Sequence, residues 1–117
     1  DYILVFSQKI ISKNEGRILS LSSVKPSLLA DGIASSYGKD PRSVELILSE
    51  SKRIVRMENG IIIVETNHGF VCANAGIDES NVQDGYATLL PDDPDKSANP
   101  LKDRIKQKTG KHTAVII

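Results

Sequence analysis

The chain has 117 residues, with 15 Lys+Arg against 15 Asp+Glu, 39% hydrophobic and 4% aromatic residues, one Cys and no Trp. That length is one ordinary domain, large enough to bury a core without disulfides or a structural metal. Zero net charge excludes a bulk polycation that holds nucleic acid by phosphate neutralisation. The lone Cys72 excludes an internal disulfide and a Cys-rich zinc site. No apolar run approaches the ~20 residues of a membrane helix, and the opening lacks the pattern of a signal peptide. The expectation is a soluble, cytoplasmic protein with no membrane and no nucleic-acid partner.

Tyr2-Ile3-Leu4-Val5-Phe6 is a continuous apolar run, as in a strand covered on both faces. Ser7 to Arg17 reads as a helical turn or two ending at Gly16, and Arg17 to Leu21 as a short strand. Pro26 suits the first position of a helix carrying Leu29, Ile33 and Tyr37 at i, i+4, i+8, with Gly38 as its stop. Asp40 is an N-cap and Pro41 an N1 residue for a second helix, whose stripe is Val44, Ile47 and Leu48 and which ends near Ser51 or Lys52. Then the period changes. Ile54-Val55 and Ile61 to Val64 flank Glu58-Asn59-Gly60 as a hairpin, and Phe70 to Cys72 forms a third run.

A polar stretch from Asn74 to Gly85 precedes Ala87 to Leu90. Asp95 to Thr109 is rich in helix formers, stops at Gly110 and leads into a strand from His112 to Ile117. Pro100 is out of place there: either Asn99 caps a helix that starts at Pro100, or an earlier helix bends at Pro100. No repeat or linker interrupts the chain, so residues 1–117 are expected to form a single α+β unit with a mixed sheet and flanking helices. Apolar runs at both ends read as strands cut from a longer protein.

Charge is unevenly spread. Residues 78–95 hold six acids and no Lys or Arg, and residues 102–111 hold five bases and one acid. A solvated loop beside a solvated helix face accounts for most of these side chains. The sharper alternative is that some acids converge on a divalent cation. Asn74-Ala75-Gly76-Ile77-Asp78-Glu79-Ser80-Asn81 concentrates oxygen donors directly after a strand. Asp78 suits a Mg²⁺ ion, which takes one or two protein carboxylates plus phosphates, and Asn81 suits a nucleotide hydrogen bond. The plain alternative is a turn in which Asp and Asn satisfy their own backbone.

Lys13 is a candidate phosphate contact, as a point charge after a strand. Gly110-Lys111 lacks the Ser/Thr and first Gly of a phosphate loop. Asp93 to Ser97 lacks the Gly and Glu of a calcium loop. His68 and Cys72 are not placed as a nucleophile–base pair, and Cys72 reads as a small core residue. Nucleic-acid binding through residues 102–111 is disfavoured because stacking aromatics are nearly absent there.

The order of motifs resembles the γ-glutamyl ligases of coenzyme F420, a deazaflavin hydride carrier. The likeness runs through Ile11-Ser12-Lys13-Asn14-Glu15-Gly16-Arg17, Gly38-Lys39-Asp40-Pro41-Arg42 and Val44-Glu45-Leu46-Ile47-Leu48. Its most specific piece is His68-Gly69-Phe70-Val71-Cys72-Ala73-Asn74-Ala75-Gly76-Ile77-Asp78, continued by Ser80-Asn81-Val82. Leu89 to Asp95 and Thr109-Gly110-Lys111 follow in order.

The resemblance implies a GTP-dependent ligase that needs Mg²⁺ or Mn²⁺ and joins L-glutamate to the coenzyme F420 precursor through an acyl phosphate. It also implies a lobe of a two-lobed homodimer. By position, Asp78 matches a metal ligand, Asn81 and Lys13 match GTP-binding residues, and Gln8 and Lys9 occupy a GTP-contacting pair. Asn74 is expected to hold the Asp78 loop, and Asp92, Asp93 and Asp95 to cap and precede the following helix. Members carry a nucleotide loop before the first strand and further metal ligands after the last. Truncation at both ends is therefore expected, and with it an inactive piece or, as the alternative function, a non-catalytic nucleotide-binding or oligomerisation module.

Overall fold

Local sequence signals account for most of the elements in the computed structural model, which describes residues 1–80 and 82–117. The order is β1 (Tyr2–Val5), α1 (Gln8–Asn14), β2 (Ile18–Ser20), α2 (Leu28–Tyr37), α3 (Pro41–Ser49), β3 (Ser51–Glu58), β4 (Ile61–Thr66), β5 (Val71–Ala73), β6 (Tyr86–Thr88), α4 (Pro94–Thr109) and β7 (Thr113–Ile116). Short 3₁₀ turns occupy Leu21–Ser23 and Asn74–Gly76. The class is α+β, with four helices among the described residues. Parallel and antiparallel pairing both occur, in three separate small sheets: β1 with β7, β2 with β6, and β3-β4-β5. The chain divides into two compact units, Asp1–Arg17 with Leu90–Ile117, and Ile18–Leu89.

In the Ile18–Leu89 unit, α3 begins where its caps place it. The Asp40 carboxylate accepts from the Arg42 N–H, and Pro41 follows in the first turn. The helix is apolar on more than one side, and both sides are used. Val44 and Ile47 join Ala30, Ile33, Ala34, Ile62, Val64 and Ala75 in one cluster, while Leu46 joins Leu21, Ala87 and Leu89 in another. Burial of a side chain of that size contributes ~1.5–3 kcal/mol, which makes α3 the centre of this unit. The β3–β4 hairpin turns at Asn59 (φ 52°) and Gly60 (φ 79°), the two left-handed residues that a tight antiparallel turn needs. Ile62, Val64 and Thr66 then alternate inward along β4.

Two expectations for α2 need correction. The helix starts at Leu28 and not at Pro26, because Ser27 is the N-cap: its hydroxyl accepts from the Ala30 N–H at 3.2 Å. Its buried face is Ala30, Ile33 and Ala34, and Leu29 and Tyr37 are exposed. Small alanines let α2 lie close against α3, which moves the buried stripe by one position.

In the other unit, β1 and β7 pair in parallel, from Tyr2 beside Thr113 to Val5 beside Ile116. All four β1 residues are exposed, with Ile3 at 68% and Val5 at 73%. The expected covering on both faces is therefore not found in this two-stranded ribbon, in which α4 packs beside β7. α4 is a single helix that runs through Pro100. Neither a start at Pro100 nor a cap at Asn99 is observed, because Asp93 caps the helix by accepting from the Asp95 and Lys96 N–H groups. Pro100 is exposed on that helix, where water can take the carbonyl left without a donor. No helix among the described residues is long and apolar enough to cross a membrane.

Candidate functional site

The loop after β5 is built tightly. Asn74, Ala75 and Gly76 are all left-handed (φ 54°, 55° and 69°). Asn adopts that conformation more readily than other non-glycine residues, but for Ala75 it costs about 1–2 kcal/mol, a strain that persists only where the surroundings enforce it. They do so here. Asn74 accepts the Ile62 N–H of β4 on its side-chain oxygen at 3.3 Å and the Ile77 N–H on its carbonyl at 3.0 Å. Ala75 is buried in the α2–α3–β4 cluster, and Ile77 packs against both apolar clusters. Asn74 has the loop-holding role expected of it.

Asp78 follows directly. Its backbone exchanges hydrogen bonds with Thr88 of β6, N–H to carbonyl at 3.1 Å and carbonyl to N–H at 2.8 Å, and the Thr88 hydroxyl donates to the same Asp78 carbonyl. One carboxylate oxygen accepts the Ser80 N–H at 2.7 Å. The turn reading of this segment is thus correct as far as it goes. It leaves a half-buried carboxylate on a backbone anchored at both flanks.

Among the described residues no group of three His, Cys, Asp or Glu side chains converges to hold a metal. Of the expected metal ligands, the described residues offer one carboxylate, Asp78. That fits the one or two carboxylates of a Mg²⁺ site whose remaining ligands are phosphates and water, and it does not fit an all-protein cage.

Three predicted nucleotide residues fall on α1, in the other unit. Gln8 opens the helix and donates from Nε2 to the Ser12 hydroxyl at 2.5 Å. Lys9 and Lys13 are four apart, hence on one face, and Lys13 sits exposed in the last turn. Arg17, just beyond, donates from Nε to the Leu90 carbonyl at 2.9 Å and pairs with Asp92 at 3.3 Å. Asp92 and Asp93 thus serve the α4 start as an ion-pair partner and a cap, and Asp95 lies in its first turn. Asn81 lies outside the described residues.

His68 stacks on Phe70 with ring centroids 5.2 Å apart, and its Nδ1 lies 3.2 Å from the Thr66 hydroxyl. Cys72 is half-buried on β5, where burial pushes its thiol pKa up and keeps it protonated.

Sequence reasoning missed a cavity of about 220 Å³ between α3 and the 74–79 loop. Val44, Ile47 and Ile77 line it together with Lys39, Asp40, Ser43, Asn74 and Glu79. Asp40 is engaged by Arg42, at 2.7 Å between Oδ2 and the guanidinium, and that bond holds its carboxyl below the usual range. Ser43 donates its hydroxyl proton to Glu79 at 3.0 Å. The signal available was the Gly38-Lys39-Asp40-Pro41-Arg42 stretch, but its partners lie more than thirty residues on, and nothing local links them.

Comparison with known proteins identifies the class first. Matching relatives are coenzyme F420:L-glutamate ligases, from Methanothermobacter thermautotrophicus (55% identical over 115 residues), Methanopyrus kandleri (46%) and Methanocaldococcus jannaschii (45%). Each match covers 98% of this chain and 46% of the relative, so the chain spans less than half the length of those curated relatives. The family model described as F420-0:Gamma-glutamyl ligase matches residues 1–117, and the chain belongs to that family.

Proposed function

We propose that this chain is the nucleotide- and metal-binding part of a cytoplasmic, homodimeric ligase that adds L-glutamate to the coenzyme F420 precursor at the expense of GTP. The observation that carries the reading is the family match across the whole chain, joined to a strained, doubly anchored loop that presents Asp78. A carboxylate is a poor electrophile. Its oxygen takes the γ-phosphoryl group of GTP, and GDP leaves. The glutamate amine then attacks the acyl carbon with its lone pair, the C–O bond to phosphate breaks, and the amine loses a proton as the amide forms.

Phosphoryl transfer depends mostly on positioning and on neutralising charge. In this reading Gln8, Lys9, Lys13 and Asn81 hold the nucleotide. Lys9 and Lys13 bring positive charge to its phosphates from one helix face. Asp78 holds Mg²⁺ or Mn²⁺, which when bound offsets the negative charge of the triphosphate. The Thr88 and Asn74 hydrogen bonds keep Asp78 in place, so little reorganisation is needed at the moment of transfer.

The test is Asp78→Asn in the protein carrying this chain. Asn keeps an oxygen for the Ser80 N–H and removes the charge. We expect the thermal unfolding midpoint to be kept and Mn²⁺-dependent GTP turnover with precursor and glutamate to fall about 10²-fold or more. Undiminished turnover overturns the metal assignment. GTP binding by the wild-type protein without phosphate release on adding both substrates favours the non-catalytic module instead.

A further inference from the structure

We propose that the cavity between α3 and the 74–79 loop is the subsite for the free amino acid, with Lys39 holding a carboxylate and Glu79 the ammonium. This rests on the ligase reading and adds to it the residues that take the amine substrate.

The cavity has an apolar floor (Val44, Ile47, Ile77) and charges of both signs on its rim. Its three charged lining residues, Lys39, Asp40 and Glu79, are not equivalent. Asp40 is engaged by Arg42 in a charge-assisted pair, which leaves Lys39 and Glu79 as the lining charges that face a ligand. Lys39 is half-buried and makes no ion pair among the described residues. Its stem packs beside Gly60, where a Cβ would stand at an ordinary van der Waals distance, 3.6 Å, from Lys39 Cε. Glu79 is steadied by the Ser43 hydroxyl. An acceptor and a cation set apart over an apolar floor complement a zwitterion rather than an anion or a cation alone.

Size narrows the choice. About 220 Å³ lies below the ~300–1,000 Å³ of pockets for larger ligands, a size that suits a free amino acid. Chain order adds a reason: Glu79 is the residue after Asp78, so an ammonium held there lies within one residue of the carboxylate assigned to the metal. In a partly desolvated cleft, each charge contact is stronger than in bulk water.

The experiment is calorimetric titration of the protein carrying this chain with L-glutamate, with glutarate, which lacks the amine, and separately with GTP. The variants are Lys39→Gln, Lys39→Arg and Glu79→Gln, with circular dichroism as the check on folding. Lys39→Gln should weaken L-glutamate binding at least tenfold, Lys39→Arg should restore part of it, and GTP affinity should stay within twofold. Glu79→Gln should weaken L-glutamate and leave glutarate unchanged. In initial rates, Lys39→Gln should raise KM for glutamate with kcat little altered.

Unchanged L-glutamate affinity in Lys39→Gln and Glu79→Gln, or no binding to the wild type, overturns the subsite. So does a loss confined to GTP. Should Lys39→Gln not fold, the exposed Glu79→Gln decides alone. L-glutamate binding that depends on Lys39 in a protein without any ligation supports the subsite while overturning the ligase reading.

Discussion

Ala75 shows how a single residue can be held where its own preferences do not put it. It sits at φ 55° and is 2% exposed, so its methyl group is both strained and packed. A β-branched side chain at that φ is a steric outlier, and the added carbons would also overpack a filled site. We expect Ala75→Val to destabilise by about 3 kcal/mol, the sum of those two costs. Ala75→Gly should stay within about 1 kcal/mol of wild type, because relief of strain offsets the lost methyl group, worth ~0.8 kcal/mol. Urea unfolding midpoints at unchanged m-value measure both. If Val is tolerated, the loop takes another conformation. Residue-scale chemistry was partly legible in the sequence: Asp78 and Asn74 stand out because oxygen-bearing residues crowd after a strand. The left-handed run did not, since Asn74 and Gly76 both tolerate positive φ but Ala75 between them does not advertise it. Nor did the pairing of Ser43 with Glu79, which depends on tertiary placement.

Among the elements, α4 carries the clearest conflict between propensity and outcome. Pro100 lies inside a helix of sixteen residues, and proline there costs ~3 kcal/mol against alanine. Part of that cost is returned through the stiffer unfolded chain, ~0.4–1 kcal/mol. Pro100→Ala should therefore raise stability by about 2 kcal/mol, read as a higher thermal midpoint and greater protection of the neighbouring α4 amides from exchange. No gain would mean that the helix is already bent to accommodate the ring. The helix forms despite Pro100 because both ends are well closed. Asp93 caps the start, and Gly110 (φ 70°) ends it with its N–H on the Lys106 carbonyl.

The same contrast explains which elements could be read beforehand. Asp40-Pro41, Gly38 and Asn59-Gly60 act on their own neighbours, so α3, the end of α2 and the hairpin were legible. The start of α2 was harder to read. Pro26 and Ser27 offer adjacent signals, and the choice between them also involves Glu45 on α3, whose carboxylate accepts the Ser27 N–H at 2.6 Å. The burial of β1 was misread for a related reason. An apolar run reports what a strand can bury, and what covers it lies elsewhere in the chain.

At the scale of the whole molecule, apolar burial is divided very unequally between the two units. Among the described residues, the unit made from the two ends buries Ile11 and Pro91, whereas most of the buried hydrophobic side chains, including Val44, Leu46, Ile62, Val64 and Leu89, lie within Ile18–Leu89. The unit of the ends also joins segments far apart in sequence, which makes its closure entropically costlier. Few buried contacts and exposed backbone hydrogen bonds mark the parts of a protein that open first. Native-state hydrogen exchange on this 117-residue chain should therefore show β1, α1, α4 and β7 opening at lower free energy than α3 and β4. The amides of Val44, Ile62 and Val64 should exchange only through the largest opening. Equal protection in β7 and β4 would show that the chain opens as one cooperative body. The candidate nucleotide residues Gln8, Lys9 and Lys13 ride on the less stable unit, whereas Asp78 and the Lys39 cavity belong to the more stable one. A ligand that bound only through α1 would thus raise protection mainly in the unit of the ends. One that occupied the cavity beside α3 would act on the unit that is already the better protected.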